Sequence, residues 1–350
     1  MSKILLLLDH KNEFLKSVED LHNYTSMNVD VICDRLTQYG HSVEKQKYAE
    51  LDLTKSYRGY YVLYQTVEDI GLFYKSYVED IIYFLERQGA IPLPGFALLL
   101  AHHNKCFMEL LRTSLCFEGF KTIHSKLFGT AEEALEQTHE YPLVLKSAEG
   151  YGSRGVFLAR DRKEFIKIVK ALSGVFIVNK LSDVKEFLIY RLASNLLHKV
   201  QTKYREHTFY RKKFIVQNFI EGLKGDYKVL YFGGKYYTLY RENRDHDFRA
   251  SGSGKFSPVP EEEISGLLEF CRRLTLEVDF PIIGMDVGFD GRQYHLFEFQ
   301  CIHIGPYTLQ YSQYWHEYHD GSWVKKEGRS NLEEEFCRSI NEYIQQIEKK

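Results

Sequence analysis

Ile282-Ile-Gly-Met-Asp286-Val-Gly-Phe-Asp-Gly291-Arg-Gln-Tyr-His-Leu-Phe-Glu298-Phe-Gln300 divides at Asp290-Gly291 into two apolar arms. An Asp-Gly pair between apolar runs is a strong hairpin signal, so 282–289 and 293–299 are expected to pair as antiparallel strands. Residues two apart on a strand share a face, which sets Glu298 and Gln300 side by side. A cross-strand partner at Asp286 completes three oxygen donors. Hard oxygens on a rigid strand pair, with phosphates filling the remaining positions, suit magnesium. Both acids sit among Ile, Met, Val, Leu and Phe, where an unpaired charge is costly. The bland alternative is a salt bridge to a nearby Arg or Lys.

Moving outward, Gly150-Tyr-Gly152-Ser153-Arg154-Gly155 satisfies G-x-G-x-x-G. A dinucleotide site needs strand, loop and then helix. Here strand 142–147 leads into a second strand, Val156–Ala159, so that reading fails on context. Two antiparallel strands joined by glycines form a flap whose bare N–H groups can cover phosphates. Lys146, on the incoming strand, and Arg154 add cations; an ordinary glycine hairpin is the alternative. Ser251-Gly-Ser-Gly-Lys255 looks like a P-loop fragment but lacks its first Gly, with Arg249 there, and its Ser/Thr, with Phe256 there. Flanked by Arg241, Arg244, Arg249 and Lys255, it suits an anion, or is simply a solvated loop.

The rest of the chain bounds the answer. With 350 residues, a net charge of −2 and 27 % charged residues, the protein is globular and long enough for more than one domain. Balanced charge argues against a nucleic-acid-coating protein. Six cysteines form no CxxC pair, which fits reduced thiols and a cytoplasmic setting. No apolar run reaches membrane length. Strands at 4–8, 43–47, 59–64 and 90–93, with helical rhythm over 18–40 (broken near 28–31) and 74–88, suggest an open, largely parallel sheet. Helices are expected over 98–111, 163–172, 182–206, 261–277 and 332–349. Further strands are expected at 214–220, 228–231 and 235–240. The basic segment 199–213 is read as a solvated face or a dock for an anionic partner. Of the 26 Tyr and 24 Phe, Tyr60, Tyr61, Tyr64, Phe214, Phe219, Tyr231, Tyr236, Tyr237, Tyr240, Phe297 and Phe299 fall on these strands. A second cluster, Tyr307 to Trp323, reads as an aperiodic loop and a place to look for substrate contacts.

Taken in order, Lys105, Lys146 with its glycine flap, Val216-Gln217-Asn218-Phe219-Ile220-Glu221-Gly222, Asp226-Tyr-Lys228, Arg241, Asp247-Phe-Arg249 and Asp286…Glu298-Phe-Gln300 resemble the ATP-grasp superfamily. The likeness covers about 100–306 and is nearest to the ribosomal-protein glutamate ligase and the glutathione synthetases. It implies an α/β (α+β) fold in three parts: an N-terminal parallel-sheet domain over 1–100, a central flap lobe over 101–213, and a C-terminal antiparallel-sheet lobe over 214–350. It also implies roles. Lys105 and Lys146, with Gly150, Gly152, Ser153, Arg154 and Gly155 of the flap, would hold the nucleotide. Gln217, Asn218, Phe219 and Ile220 would form the adenine hinge, and Asp226 would lie near the ribose. Arg241 would meet the terminal phosphate, and Arg249 the acyl phosphate or substrate carboxylate. Asp286, Glu298 and Gln300 would ligate two Mg²⁺ ions, for which Mn²⁺ may stand in. Gln300 and Ala250-Ser251 depart from the family's Asn and Ser-Asn. The implied activity is ATP-dependent joining of a small-molecule or peptide carboxylate to an amine. A phosphotransferase and a non-catalytic nucleotide-binding protein are the alternatives. A homodimer is compatible with the resemblance, which implies no membrane partner.

Overall fold

The computed structural model describes residues 1–18, 23–66, 71–150, 155–174, 210–245, 247–250 and 255–349. The expected helix over 182–206, most of the basic segment 199–213, and Gly152, Ser153 and Arg154 lie outside them. The described chain forms two compact units, one of 1–123 with 220–350 and one of 124–219.

The first unit begins with an all-parallel sheet. Its strands are β1 (Lys3–Leu8), β4 (Ser42–Lys47), β5 (Tyr60–Leu63) and β6 (Ile91–Leu93), in the order β4-β1-β5-β6. Consecutive apolar residues make β1 the buried strand: Ile4, Leu6 and Leu8 enter one core cluster and Leu5 and Leu7 another. That is how a parallel strand covered on both faces must read. Helix Phe73–Arg87 buries Val78, Ile82 and Leu85 at helical spacing. The stretch 18–40 departs from expectation. Its first part is a small hairpin, β2 (Lys16–Val18) with β3 (Tyr24–Ser26), and only Val29–Gln38 is helical, capped by Asn28.

The expected single helix over 98–111 is two, Phe96–Ala101 and Lys105–Ser114. His103 takes a positive φ, and the Asn104 side chain accepts from the Phe107 N–H to start the second helix. The break sets Lys105 in a helix's first turn.

The second sheet of this unit is antiparallel, with the order β15-β14-β11-β12-β16-β17 and β13 beside β12. Its strands are β11 (Gly225–Phe232), β12 (Lys235–Glu242), β13 (Phe256–Ser257), β14 (Ile282–Phe289), β15 (Tyr294–Gln300), β16 (Tyr314–His319) and β17 (Ser322–Glu327). Helices Glu261–Val278 and Leu332–Lys349 contribute Leu267, Leu274, Phe336 and Ile340 to its core. The aromatic stretch 307–323 is not an aperiodic loop. It forms helix Tyr307–Tyr311, then β16 and the start of β17, and Trp315 and Trp323 pack against the core.

The second unit is an antiparallel sheet of β7 (Ser125–Phe128), β8 (Leu143–Ser147), β9 (Val156–Ala159) and β10 (Phe214–Asn218), in the order β7-β10-β8-β9. Helices Ala131–Leu135 and Arg162–Ser173 cover it, the first through Ala131 and Ala134 and the second through Phe165 and Val169. All six cysteines are free thiols. Among the described residues, no helix is long and apolar enough to cross a membrane.

Candidate active site

The β14–β15 hairpin does more than its turn dictates. From the turn, Phe289 pairs with Tyr294, Gly288 with His295 and Val287 with Leu296. Continued, that register would set Phe297 opposite Asp286. Instead the register shifts between Asp286 and Val287, and Asp286 pairs with Glu298 and Gly284 with Gln300. Phe297 is the extra residue of a β-bulge. The bulge turns Glu298 onto the face of Asp286, because a one-residue slip reverses which face a side chain takes.

The neighbouring strands add cations to this face. Lys228 on β11 lies opposite Asp286, and Asp226, two residues earlier, lies opposite Arg241 on β12. Arg241 grips Asp226 through Nε–Oδ1 and Nη2–Oδ2, both 2.7 Å, and reaches Asp286 Oδ2 at 2.8 Å. Lys228 Nζ stands 3.6 Å from Asp286 Oδ1, and Lys105 Nζ stands 3.7 Å from Glu298 Oε1. Three carboxylates thus face three cations. The sequence reading gave Lys228 no role; its spacing of two from Asp226 was the available signal.

Burial and charge separate the acids. Burial pushes the Asp226 carboxyl up to about 6 against the pull of Arg241, with Asp286 adding to the rise. Burial also acts upward on Asp286, but Arg241 and Lys228 outweigh it and hold that carboxyl at about 2. Burial disfavours the Arg241 charge, yet Asp286 and Asp226 keep it more firmly protonated than usual.

Gly225 lets the strands meet here. A Cβ at this position would lie 2.2 Å from the Arg241 carbonyl oxygen and 2.6 Å from the Tyr240 hydroxyl. Gly225→Ala is expected to push β11 from β12 and misplace the Asp226–Arg241 pair. It should destabilise the fold by about 1–3 kcal/mol, read as a lowered thermal transition.

Arg249, expected at the substrate, and the nearby Cys301 and His303 have places of their own. Arg249 turns onto Asp247, with Nη2–Oδ2 at 2.6 Å, rather than onto the acid face. Cys301 follows Gln300 but is buried in the apolar core, where burial pushes its thiol up. His303 adopts a positive φ and its Nε2 donates to the Thr66 carbonyl.

In the second unit, Lys146 on β8 lies opposite Val156 on β9, on the arms of the glycine turn. Gly150 has φ +117°, and a Cβ on Gly155 would fall 1.8 Å from Ser147 Oγ and 2.9 Å from its Cβ. The arms close so tightly that glycine is required at 155. Gln217 is buried and its amide donates to Ser125 Oγ, while Asn218 Oδ1 accepts from the His124 N–H. Phe219 ends this unit and Ile220 opens the return to the first.

Asp286 and Glu298 directly opposed, with Gln300 alongside, set hard oxygen donors on one face, the kind of donor magnesium takes from protein when phosphates supply the rest. Among the described residues, no group of three His, Cys, Asp or Glu side chains is gathered for a metal. The third donor here is an amide, which such a grouping does not include.

No family model matches the sequence, and no curated protein does. Among solved structures, D-cycloserine synthetase DcsG superposes over 97 % of this chain and 99 % of its own, with 11 % identity and a TM-score of 0.50. D-alanyl-alanine synthetase A from Vibrio cholerae O1 biovar eltor covers 98 % of each chain, at 12 % identity and a TM-score of 0.49. A RimK domain ATP-grasp protein from Sphaerobacter thermophilus covers 87 % of this chain and 92 % of its own, at 13 % identity and a TM-score of 0.42. At such identities the likeness is one of fold. With a parallel N-terminal sheet, a separate antiparallel unit and a bulged two-acid hairpin, the chain shares the fold of D-cycloserine synthetase DcsG.

Proposed function

We propose that the chain is an ATP-dependent ligase that joins a carboxylic acid to an amine through an acyl phosphate, releasing ADP and phosphate. The observation that carries this reading is the acid face of the bulged hairpin, with Asp286 and Glu298 opposed, Gln300 beside them and Lys105, Lys228 and Arg241 around them. Three acids and three cations already balance. Asp286, Glu298 and Gln300 would hold magnesium, and Lys105, Lys228 and Arg241 stand around them as cations for phosphate oxygens. Bound there with ATP, the metal supplies charge neutralisation at the transferring phosphate.

The chemistry balances without a protein nucleophile. A carboxylate oxygen attacks the γ-phosphorus, and the bond to the β–γ bridging oxygen breaks, freeing ADP. The amine nitrogen attacks the acyl carbon, the carbon–oxygen bond to phosphate breaks, and the amine's proton passes to solvent. The chain's part is to hold these groups in line and to stabilise charge.

A panel assay for ADP and phosphate with ATP, carboxylic acids and amines tests the reading. Release should require both an acid and an amine. ADP formed from a single acceptor without free phosphate would mark a phosphotransferase, and no ATP consumption across the panel would mark a binding protein.

The flap contributes a separate expectation. Lys146 sits at the mouth of the glycine turn, where a cation and bare N–H groups suit nucleotide phosphates. Lys146→Ala is expected to raise the KM for ATP roughly tenfold or more, the scale of one charge-assisted contact. An unchanged KM would show that this flap does not cover the nucleotide.

A further inference from the structure

A ladder of three aromatic rings stands beside the acid face, and nothing in the proposed chemistry uses it. Tyr307 stacks on Tyr311 with centroids 4.6 Å apart and planes 27° apart, and Phe256 lies against Tyr307 at 5.5 Å. The two outer residues are partly exposed, Phe256 by 43 % and Tyr311 by 46 %. Two independent features fix the ladder's position. Phe256 on β13 pairs directly with Arg241 on β12, so both side chains take the same sheet face. The segment leading to helix Tyr307–Tyr311 passes close over Lys228, since a Cβ on Gly305 would lie 3.3 Å from Lys228 Nζ. The Phe256 end of the ladder therefore adjoins the cations that hold Asp286 and Asp226.

We propose that this ladder is the specificity subsite for an aryl-bearing carboxylic acid, whose ring extends the stack on Phe256 while its carboxylate reaches the acid face. The inference rests on the ligase reading and names its acid substrate class. The dimensions suit it. Arg241 and Phe256 are directly opposed, with Cβ atoms about 5 Å apart, so one small acid can meet the cations with its carboxylate and Phe256 with its ring. An acid of alanine's size would leave the open ring face uncovered. Offset or edge-on ring contacts add to the apolar burial that such a substrate brings.

The test is direct binding to the full chain, independent of turnover. 3-Phenylpropanoate and phenylacetate are titrated by calorimetry in the presence of magnesium and a non-hydrolysable ATP analogue but no amine, with propanoate and acetate as aliphatic controls. Wild-type protein is expected to bind the aryl acids at least tenfold more tightly than the controls. Phe256→Ala and Phe256→Leu are expected to remove most of that preference while leaving the aliphatic affinities unchanged; the leucine variant keeps an apolar side chain on the short strand. Equal affinity for aryl and aliphatic acids, no binding of either aryl acid, or a preference that survives both substitutions would overturn the proposal. Aryl binding lost in the variants, but without ADP release once ATP and amines are added, would uphold the subsite and count against the ligase reading alone.

Discussion

Glu298→Ala is expected to reduce ATP-dependent turnover by roughly a thousandfold or more, the scale of losing a group that stabilises charge in a transition state, while the thermal transition stays within a degree or two of wild type. The two halves of this result have separate causes. The Glu298 side chain is 35 % exposed, and its ion-pair partner is Lys105 at 3.7 Å. With the acid partly exposed and the charges that far apart, the pair contributes little to stability, so its loss should not unfold the protein. Its chemical role is different. Glu298 is one of two opposed carboxylates, and the bulge at Phe297 exists at the one place that brings it to the face of Asp286. Without Glu298, Asp286 and Gln300 give too few oxygen donors to hold a dication beside the phosphates. Chelation should reproduce the loss: EDTA abolishes turnover and excess Mg²⁺ or Mn²⁺ restores it. Steady-state ADP release together with a melting curve checks both halves. Normal turnover in Glu298→Ala would remove the metal assignment.

The second large effect is on stability and lies away from the chemistry. Arg112→Met is expected to destabilise the first unit by about 3–5 kcal/mol, the usual cost of breaking a buried ion pair from one side. Arg112 is 1 % exposed and forms an ion pair with Glu109, also 1 % exposed. Its Nη1 donates to the Phe120 carbonyl at 2.6 Å and its Nη2 to the Ile123 carbonyl at 2.8 Å. One guanidinium thus neutralises a buried acid and satisfies the carbonyls of the turn that ends this part of the chain. Methionine fills much of the volume and none of the charge. Adding Glu109→Met should recover part of the loss, because the buried carboxylate that loses its guanidinium goes with it. A double-mutant cycle by denaturant titration measures the coupling, and single and double variants of equal stability would contradict the assignment.

These residues show where the sequence was legible. The strand β1 could be read because burial on both faces leaves an unbroken apolar run. The β14–β15 hairpin could be read because Asp290-Gly291 supplies the backbone its turn needs. The order of lysines, glycines and acids led to the fold. What stayed hidden depends on register and long-range contact. The bulge at Phe297 leaves no mark in the alternation of apolar and polar residues, since Phe297 and Phe299 are both aromatic. A hairpin paired straight from its turn would have sent Glu298 to the wrong face. The grip of Arg241 on Asp226 and Asp286 depends on the β11–β12 and β11–β14 registers together. The salt-bridge alternative weighed for the acids is therefore present as well, in the same cluster as the three oxygen donors. The break at His102–Asn104 was missed because Leu98 to Leu111 keeps a helical rhythm across it. The stretch after Gly305 was missed because aromatics on short strands show little periodicity.

The central claim is that a carboxylate is activated as an acyl phosphate and captured by an amine. The most direct measurement follows oxygen. A carboxylic acid that supports ADP release is labelled with ¹⁸O in both carboxylate oxygens and turned over with ATP and an amine, and the released phosphate is analysed by mass spectrometry. The account predicts one ¹⁸O atom in each phosphate released, with ADP, phosphate and amide formed in equal amounts. Unlabelled phosphate, or the γ-phosphoryl group retained on a single acceptor, would contradict it.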